Sequence, residues 1–521
     1  MGEPMNETHR LAIVGGGSVA VSFLAQFIVL IQKTPIDFPP IHITLFEPTG
    51  VIGQGTAYQA DLNTNLLNVP ANNMSLFDDK RTHFLEWLTT LSKDDLSRYG
   101  VKEIDGNDFY PRPLFGRYVS EQFTRIVKLA CDLGVTVRVI ENAVVAIERQ
   151  QSRAMMLRDS AGGKYEADRV VLCNGNLSSD KFEALLPQAG FLNSPYPVAE
   201  LARKIPNSAS VGILGSNLSA IDAIVALVAQ GHAGPIHCFS RQGRLPSVRS
   251  TFPTKVSDRL TRNSVHKWVT EQDGHLDLAC IYEQLQKMIL SHGYGDDLKD
   301  LLGADNSASD QLDWEIETSQ ARQRPWQSVL ASTNDVIDLL WFYLAPEEKQ
   351  QFQKRWMPQW MSRRAMFPMK NALKLQELMR RRQLYVHGGF QACMPVKDKD
   401  VFEVSYENGV GDVESVRCEY IINATGFSQN VEKSADPLVM DLLNSGMATS
   451  SPYGGFKLDF NTGSLIASNS EIVDEITVLG SLARGTYFWT ISMDVNARLA
   501  GEQARQIVNA LVVQGDKINV C

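Results

Sequence analysis

The N-terminal part of the chain contains the run Leu11-Ala12-Ile13-Val14-Gly15-Gly16-Gly17-Ser18-Val19-Ala20. An apolar strand here leads through a GxGxxA turn into a helix. Gly15 suits the tight turn, Gly17 lets the backbone approach a pyrophosphate, and the small Ala20 lets the helix pack against the strand. Free backbone N–H groups and the helix dipole then bind the diphosphate. The run therefore predicts a dinucleotide site.

An acidic residue, Glu47, follows the next predicted strand, Ile41–Phe46. A carboxylate at this place accepts hydrogen bonds from ribose hydroxyls. Glu47 lies farther along the chain than the usual spacing of about 20 residues, and the loop 34–40 accounts for the excess. A glycine turn of purely structural origin is the alternative. The strand before it, the helix after it and Glu47 together favour dinucleotide binding.

A second turn of the same kind comprises Gly215, Ser216, Asn217 and Leu218, with Ala220 two residues further on. It follows the strand-like run 211–214 and precedes an amphipathic helix. Asn217 replaces the second glycine, and because asparagine tolerates left-handed backbone conformations we expect the turn to be retained. Asp222 in the helix is expected to face solvent or to cap locally. The run predicts a second dinucleotide site.

The strand after this second turn ends at Ser240 and Arg241. NAD-specific proteins carry an acid here, whereas an arginine suits a 2′-phosphate. Arg244 and Arg249 add positive charge nearby. A solvated basic loop is the alternative, since arginines are commonly exposed. The pattern favours NADPH over NADH.

Composition and charge exclude several classes of protein. The chain has 521 residues, a net charge of −9 and a pI near 5.6, which argues against a nucleic-acid partner. The apolar run 20–31 is too short to span a membrane, and no signal-peptide core is found, so we expect a cytoplasmic protein. The seven cysteines form no CxxC pair, and neither they nor the nine histidines show metal-ligand spacing. We therefore expect no metal site. The oligomeric state stays open.

Five further motifs carry a family resemblance. They are Gly53-Gln54-Gly55-Thr56-Ala57-Tyr58, Leu67-Asn68-Val69-Pro70-Ala71 with the following Met74, Phe84-Leu85-Glu86-Trp87-Leu88, Pro111-Arg112-Pro113-Leu114-Phe115-Gly116-Arg117-Tyr118, and Ser240-Arg241-Gln242-Gly243-Arg244-Leu245-Pro246. Together they resemble the bacterial FAD/NAD(P)-binding flavoproteins that include FAD-dependent urate hydroxylase-like proteins and two-dinucleotide flavin monooxygenases. The resemblance covers residues 10–250 and continues more loosely to Arg484–Trp489. It implies FAD at the first turn and NADPH at the second.

Candidate cofactor-binding residues follow from the turns and from this resemblance. Asn68 and Asn72 can bond ring or ribitol oxygens and Met74 can pack on the ring, although ordinary turn chemistry is the alternative for each. The run Tyr420–Phe427 is similar to an ATGF strand end, and Leu172–Asn176 looks like its partner in the first half. The full set of candidates is Gly15, Gly17, Ser18, Ala20, Glu47, Pro48, Tyr58, Asn68, Val69, Asn72, Met74, Arg117, Val144, Gly175, Gly215, Ser216, Asn217, Leu218, Arg241, Thr425 and Gly426.

The expected fold is α/β, with two Rossmann-like dinucleotide-binding domains, one for FAD and one for NADPH, and a helical insertion. Residues 1–205 and 421–521 are assigned to the FAD-binding domain, and residues 206–250 and 384–420 to the NADPH-binding domain. Residues 251–383 form the insertion, which contains six of the eight tryptophans and is a candidate substrate cover.

Two nucleotide sites imply hydride transfer from one cofactor to the other, which leaves the fate of the electrons open. The favoured hypothesis is a monooxygenase that hydroxylates a small molecule with dioxygen through a flavin hydroperoxide. The alternatives are a reductase or dehydrogenase that passes electrons to another acceptor, and a non-enzymatic flavin-binding scaffold. No catalytic residue is identified. Trp360 and Arg363 are candidate substrate contacts and share a predicted helical face with Trp356, provided Pro358 does not break the helix.

Overall fold

The computed structural model describes residues 8–35, 38–252, 260–292, 297–302 and 307–518. The strands are β1 His9–Val14, β2 Ile41–Phe46, β3 Thr136–Ile140, β4 Val144–Arg149, β5 Met155–Asp159, β6 Lys164–Ala167, β7 Arg169–Leu172, β8 Phe191–Leu192, β9 Val211–Leu214, β10 Ile236–Phe239, β11 Leu384–His387, β12 Phe390–Pro395, β13 Phe402–Glu407, β14 Val413–Cys418, β15 Tyr420–Asn423, β16 Ser464–Ile466 and β17 Ile472–Val478.

The helices alternate with these strands in the first part of the chain and dominate its middle. They are α1 Ser18–Lys33, α2 His83–Leu88, α3 Lys93–Arg98, α4 Arg112–Asp132, α5 Leu201–Lys204, α6 Leu218–Ala229, α7 Arg262–Glu271, α8 Leu278–His292, α9 Asp297–Leu302, α10 Ala308–Ala321, α11 Pro325–Ser332, α12 Ile337–Tyr343, α13 Pro346–Gln351, α14 Met357–Arg364, α15 Met369–Arg380, α16 Pro437–Asn444, α17 Arg484–Tyr487 and α18 Met493–Ile518. None of the helices in the described residues is long and apolar enough to cross a membrane.

The chain divides into two compact units. The first unit comprises Met1–Ala60, Val69–Ser178 and Ser428–Cys521, and the second comprises Asp61–Asn68 and Ser179–Phe427. Residues 179–205 and 421–427, assigned above to the FAD-binding domain, lie in the second unit because β8 pairs with β15 and β15 pairs with β9. The assignment of a cofactor to each domain stays a prediction.

The first unit is built on a six-stranded sheet with the order β16-β17-β7-β1-β2-β3. Strands β17, β7, β1, β2 and β3 are parallel, and β1 lies at the centre between β7 and β2. The apolar run after the glycine turn forms α1, which is buried along most of its length. A separate antiparallel sheet contains β4, β5 and β6. The run 136–148 thus forms two strands, β3 and β4, that belong to two different sheets.

The second unit repeats this plan. Its five-stranded sheet is parallel throughout, with the order β11-β10-β9-β15-β8, and β9 occupies the place that β1 has in the first unit. An antiparallel sheet of β12, β13 and β14 precedes β15, just as β4, β5 and β6 precede β7. The predicted α/β fold class is confirmed.

The helical insertion is a crossover connection. Helices α7 to α15 join β10 to β11, two neighbouring parallel strands of one sheet. Parallel neighbours need such a connection, usually a single helix. Here it has expanded to nine described helices. The two glycine turns follow the carboxyl ends of β1 and β9. The insertion begins after β10, the strand next to β9.

Candidate functional site

The first glycine turn imposes different requirements at its three positions. Gly15 has a φ of +96°, and a Cβ there would overlap the carbonyl oxygen of Cys173. A Cβ at Gly16 would lie 2.7 Å from the Cβ of Glu47. Gly17 is extended, and a Cβ there would meet nothing nearer than the Cα of Gly55, at 3.8 Å. Gly17 and Gly55 thus bound an open cradle at the start of α1.

The start of α1 presents backbone donors to this cradle. Neither a side-chain cap nor an acidic residue occupies the first turn of the helix, which begins at the half-buried Ser18. Ala20 is fully buried, as close packing of helix on strand requires. The motif Gly53–Tyr58 is anchored beside the turn, because the N–H of Gly53 donates to the oxygen of Gly16 over 2.7 Å. An uncapped helix N-terminus beside two glycines suits a diphosphate.

Glu47 is held in place by its neighbours. One carboxylate oxygen accepts from the N–H of Gly16 at 3.0 Å, and the other accepts from the N–H and hydroxyl of Thr49 at 3.1 and 2.8 Å. The oxygen that accepts from Gly16 keeps a further lone pair for a ribose hydroxyl. The adjoining Pro48 is exposed.

Three asparagines of the first unit carry a buried side-chain oxygen for which the described residues provide no hydrogen-bond partner. They are Asn72, Asn174 and Asn496. The amide nitrogen of Asn72 donates to Asn107 at 3.1 Å, which fixes the direction of its side-chain oxygen. A buried acceptor without a donor is costly unless a ligand supplies the donor. Met74, two residues from Asn72, is buried with 2% of its surface exposed.

Tyr58 is packed rather than free. Its ring centroid lies 4.7 Å from that of Phe115, and Gly116 leaves room for its carbonyl oxygen. Burial raises the pKa of Tyr58 to about 12, so the hydroxyl stays protonated. Val69 is half-buried, whereas Asn68 belongs to the second unit, where its carbonyl oxygen accepts from Arg249 at 3.2 Å.

Arg117 and Val144 are engaged within the protein. The guanidinium of Arg117 pairs with Asp95 at 2.9 Å and with Glu121 at 2.8 Å. Two carboxylates therefore already balance the charge that was predicted to contact a cofactor. Val144 is a buried residue at the start of β4.

Two loops converge on the first turn within the first unit. Gly175, after β7, has a φ of +80°, and its carbonyl oxygen accepts from the hydroxyl of Ser481. A Cβ at Gly480 would lie 3.9 Å from Val19 in the first turn of α1. The turn at residues 480–483 is therefore part of the same site.

The second glycine turn has the same backbone geometry. Gly215 has a φ of +115°, and a Cβ there would lie 2.6 Å from the carbonyl oxygen of Ala424. Ser216 is buried, and its hydroxyl donates to the oxygen of Arg244 at 2.6 Å. Leu218 begins α6, which has no side-chain cap. After β15, Thr425 donates to Asn423, and Gly426 has a φ of +91°.

The turn is retained as expected, but a left-handed backbone at Asn217 is not the reason, and the expectation for Asp222 is wrong. Asn217 is extended, with a φ of −87°, because the residue preceding a helix takes that conformation and no left-handed backbone is needed. Asp222 does not face solvent. It is 6% exposed and accepts a hydrogen bond of 2.7 Å from the hydroxyl of Tyr196, since α6 is buried between the sheet and its neighbours.

Arg241 is exposed at the end of β10. Two backbone hydrogen bonds hold its loop. The N–H of Gly389 donates to the oxygen of Arg241 at 3.1 Å, and the N–H of Phe390 donates to the oxygen of Ser240 at 3.2 Å. A second cation, Lys181, lies nearby: burial, and then the charge of Arg241, lower its pKa. Phe182, next in the chain, packs edge-on against Phe390. No sequence pattern points to Lys181, which lies 60 residues before Arg241.

The expected helical face of Trp356, Trp360 and Arg363 does not form. A π-helical turn, Phe352–Trp356, precedes α14, and Pro358 lies in the first turn of α14, where a missing N–H is tolerated. Trp356 is 39% exposed, whereas Arg363 is 4% exposed. Trp360 packs beside the cluster of Ile289, Trp326 and Met366.

Arg363 belongs to a buried network of charges that spacing did not reveal. Its guanidinium pairs with Glu315 at 2.7 Å and donates to the hydroxyl of Ser247 at 2.7 Å. Glu315 also pairs with Arg324 at 2.5 Å, and Arg324 pairs with Asp300. The network joins α9, α10 and α14 to the loop that follows Arg244. It thus accounts for the charge of Arg363 without a substrate.

Comparisons with known proteins agree with this fold. Residues 12–177 match a family model described as FAD-NAD(P)-binding, which confirms the resemblance to FAD/NAD(P)-binding flavoproteins over that part of the chain. The Escherichia coli (strain K12) protein YdhS is 25% identical over 392 residues, 66% of this chain and 70% of the relative.

Solved structures extend the match to nearly the whole chain. L-lysine 6-monooxygenase from Pseudomonas syringae matches with a TM-score of 0.58 and 15% identity, over 97% of this chain and 100% of that one. Ornithine hydroxylase from Pseudomonas aeruginosa in its reduced form matches with a TM-score of 0.57 and 11% identity over the same shares. The ornithine N-hydroxylase of Kutzneria sp. 744 gives a TM-score of 0.52 and 14% identity, again over 97% and 100%. At these identities the likeness establishes the fold.

Proposed function

We propose that the protein is an FAD-dependent oxidoreductase reduced by NADPH, and that it is a monooxygenase that hydroxylates a small molecule. The observation that carries the proposal is the repeated turn, in which Gly15 and Gly215 occupy the same place at the carboxyl end of two parallel sheets. The solved structures with this fold include enzymes named as monooxygenases and hydroxylases of lysine and ornithine. We assign FAD to the first turn and NADPH to the second.

The residues of the first unit suit FAD. The cradle between Gly17 and Gly55 accepts the diphosphate against the N-terminus of α1, and Glu47 accepts hydrogen bonds from a ribose. The unpartnered oxygens of Asn72 and Asn174 accept from the N–H or hydroxyl groups of the remaining part of the cofactor. Each of these atoms then gains a partner that the described residues do not supply.

The residues of the second unit suit NADPH. The turn at Gly215 and the uncapped start of α6 hold the diphosphate, and Arg241 with Lys181 beside it binds the 2′-phosphate. Neither cation has an ion-pair partner of opposite charge in the described part of the chain. When bound, FAD would supply the redox chemistry, which is acceptance of a hydride from NADPH and, with dioxygen, transfer of one oxygen atom to a small molecule while the other oxygen atom leaves as water. The protein contributes orientation and exclusion of water.

The first experiment tests FAD binding with the full chain. The wild type is expected to purify yellow, and Gly17→Val is expected to be folded and colourless. The valine side chain fills the cradle, while its Cβ stays at an ordinary distance from Gly55. Gly409→Val is the matched control, since a Cβ at Gly409 meets nothing within 4 Å. A Gly17→Val protein that keeps its full flavin content would refute the assignment.

The second experiment separates oxygen insertion from electron transfer. The FAD-loaded protein is given NADPH and ¹⁸O₂ with lysine, ornithine and related amines as probes. Incorporation of one ¹⁸O atom into a probe supports the monooxygenase. NADPH oxidation that leaves every probe unlabelled, together with efficient reduction of a quinone, supports the alternative reductase.

A further inference from the structure

Arg484 lies in the part of the chain where the family resemblance is loosest, and the proposed function assigns it no role. It begins α17 and is only 7% exposed. Among the described residues, none forms an ion pair or a side-chain hydrogen bond with its guanidinium. Its guanidinium lies over the ring of Phe488, whose centroid is 5.9 Å away.

The other buried arginines differ from Arg484 in this respect. Arg324 and Arg363 share Glu315, and Arg364 donates to Asn334. A buried charge without a counter-charge is costly, by several kcal/mol for a fully desolvated ion. An arginine cannot escape this cost by losing its proton: burial lowers the pKa of Arg484 to about 10, so it remains charged at pH 7.

The backbone on both sides of Arg484 is fixed by close packing and hydrogen bonds. Gly485 is so close to Ser451 and Gly454 that a Cβ would overlap both. The N–H of Phe456 donates to the oxygen of Leu482 at 2.8 Å, just before α17. Phe488, just after it, has a φ of +62° and donates to the oxygen of Arg484 at 2.7 Å. A bulky residue in this conformation is strained, and such strain is concentrated at functional sites.

The segment that leads to Arg484 belongs to the first glycine site. The N–H of Leu479 donates to the oxygen of Leu172 at 2.9 Å, at the end of β7. Gly480 then lies beside Val19 of α1, and Ser481 bonds Gly175. Arg484 follows three residues later and is thus tied to the same sheet end as the diphosphate cradle.

We propose that Arg484 is the counter-cation of a negatively charged group bound at this site. This rests on the proposed function in so far as the first unit binds FAD. The negatively charged group can come from two sources. One is FAD itself, through its diphosphate or its negatively charged reduced ring. The other is the acid group of a substrate bound beside FAD. Either one compensates the guanidinium when it binds.

Three variants of the full chain test the proposal. Arg484→Met removes the charge and keeps the length of the side chain, and Arg484→Lys keeps the charge. Arg10→Met is the matched control, because Arg10 lies at the opposite end of β1 and is paired with Asp168 at 2.7 Å. In the apoprotein, Arg484→Met is expected to raise the Tm by about 2 °C or more, since it removes an uncompensated charge. A lower Tm for the Arg484→Met apoprotein would show a structural role and overturn the proposal.

The ligand measurements identify the source of the anion. Weaker binding of oxidised FAD by tenfold in Arg484→Met indicates the diphosphate. A fall of about 30 mV in the two-electron midpoint potential, equal to a tenfold loss in affinity for the reduced form, indicates the ring. The third outcome is that the affinity for oxidised FAD and the midpoint potential are both unchanged. If acetate then perturbs the flavin absorbance of the wild type at a tenfold lower concentration than it does in Arg484→Met, the source is an acidic substrate. Arg484→Lys is expected to lie nearer to the wild type in each case.

The proposal fails if none of these three quantities changes in Arg484→Met. Its failure can be distinguished from failure of the proposed function. If the wild type binds no FAD at all, the proposed function is wrong. Inorganic phosphate and acetate then still test Arg484, by raising the Tm of the wild type and not that of Arg484→Met.

Discussion

The two glycine turns share one requirement and differ in the rest. Gly15 and Gly215 both have a positive φ, and at both the Cβ position is taken by a carbonyl oxygen of the adjacent strand end. The next position is Gly16 in one turn and Ser216 in the other, and the third is Gly17 in one and Asn217 in the other. The backbone conformation that the two turns share therefore requires glycine only at the first position. Neighbouring residues and the bound ligand determine which residue types fit at the second and third positions.

The neighbours of the two turns explain the difference. Gly16 has no side chain because Glu47 occupies the space, and its N–H bonds that carboxylate. The hydroxyl of Ser216 instead donates to the carbonyl oxygen of Arg244 in the following loop. The charge after the next strand is thus negative at the first turn and positive, at Arg241, at the second. That reversal of sign is the physical basis for assigning different nucleotides to the two turns.

The largest expected effect is at the shared glycines. Gly15→Ala and Gly215→Ala each force a Cβ onto a carbonyl oxygen at a positive φ, so we expect each to lower the free energy of unfolding by more than about 4 kcal/mol. Gly409→Ala is the control and is expected to be near neutral. Denaturant unfolding measures all three. A mild effect at Gly215 alone would show that only the first turn is rigid.

The second prediction concerns the support of the second turn. Arg363→Met leaves Glu315 with one buried arginine instead of two, so we expect a loss of about 3 kcal/mol in the free energy of unfolding. The control, Arg381→Met, removes an exposed pair with Glu377 and is expected to cost about 0.5 kcal/mol or less. If Arg363 contacted substrate instead, its variant would keep its stability and lose substrate affinity.

The sequence predicted the local elements well because their signals are local. Strand β2 and both glycine turns follow from apolar runs next to glycines, and the structure has them where they were expected. Arg363 was misread because its partner Glu315 is 48 residues away, so helical spacing alone carried no information about it. The roles of Lys181 and Arg484 were not predicted either. The neighbour of Lys181 is distant in the sequence, and the lack of a partner for Arg484 among the described residues leaves no sequence pattern.

The third prediction tests the reversal of charge. Arg241→Ala is expected to weaken NADPH binding by about ten- to a hundredfold, because a charge-assisted hydrogen bond contributes about 1.5–3 kcal/mol. NADH binding is expected to change little. Lys181→Ala is expected to act in the same direction with a smaller effect, and Lys204→Ala, an exposed lysine of α5, is the control. Equal loss for NADPH and NADH in Arg241→Ala would mean that the arginine does not contact the 2′-phosphate.

The smallest expected effect is a dependence of stability on pH that the two units share. Burial lowers the pKa of His83 in the first unit and of His387 in the second from 6.5 to about 4. His83 is bonded to the hydroxyl of Tyr118 at 2.7 Å, and His387 to His237 at 3.0 Å. The charged groups that act on them are Lys80, Glu86, Arg125 and Asp79 for His83, and His237 and Glu414 for His387.

The sign follows from proton binding. Because the unfolded chain binds these protons at higher pH than the folded one, the stabilisation is complete above pH 6.5 and is lost as the pH falls towards 4. We expect each histidine to account for about 1 kcal/mol of the loss between pH 7 and pH 5, after allowance for solvent screening. Thermal unfolding of the wild type, His83→Phe and His387→Phe across this range measures it. Each variant should lose part of the pH dependence whatever its stability at pH 7. If His83→Phe flattens the profile and His387→Phe does not, the two units differ in their buried histidines as they do in their turns; slopes equal to that of the wild type in both variants would contradict the prediction.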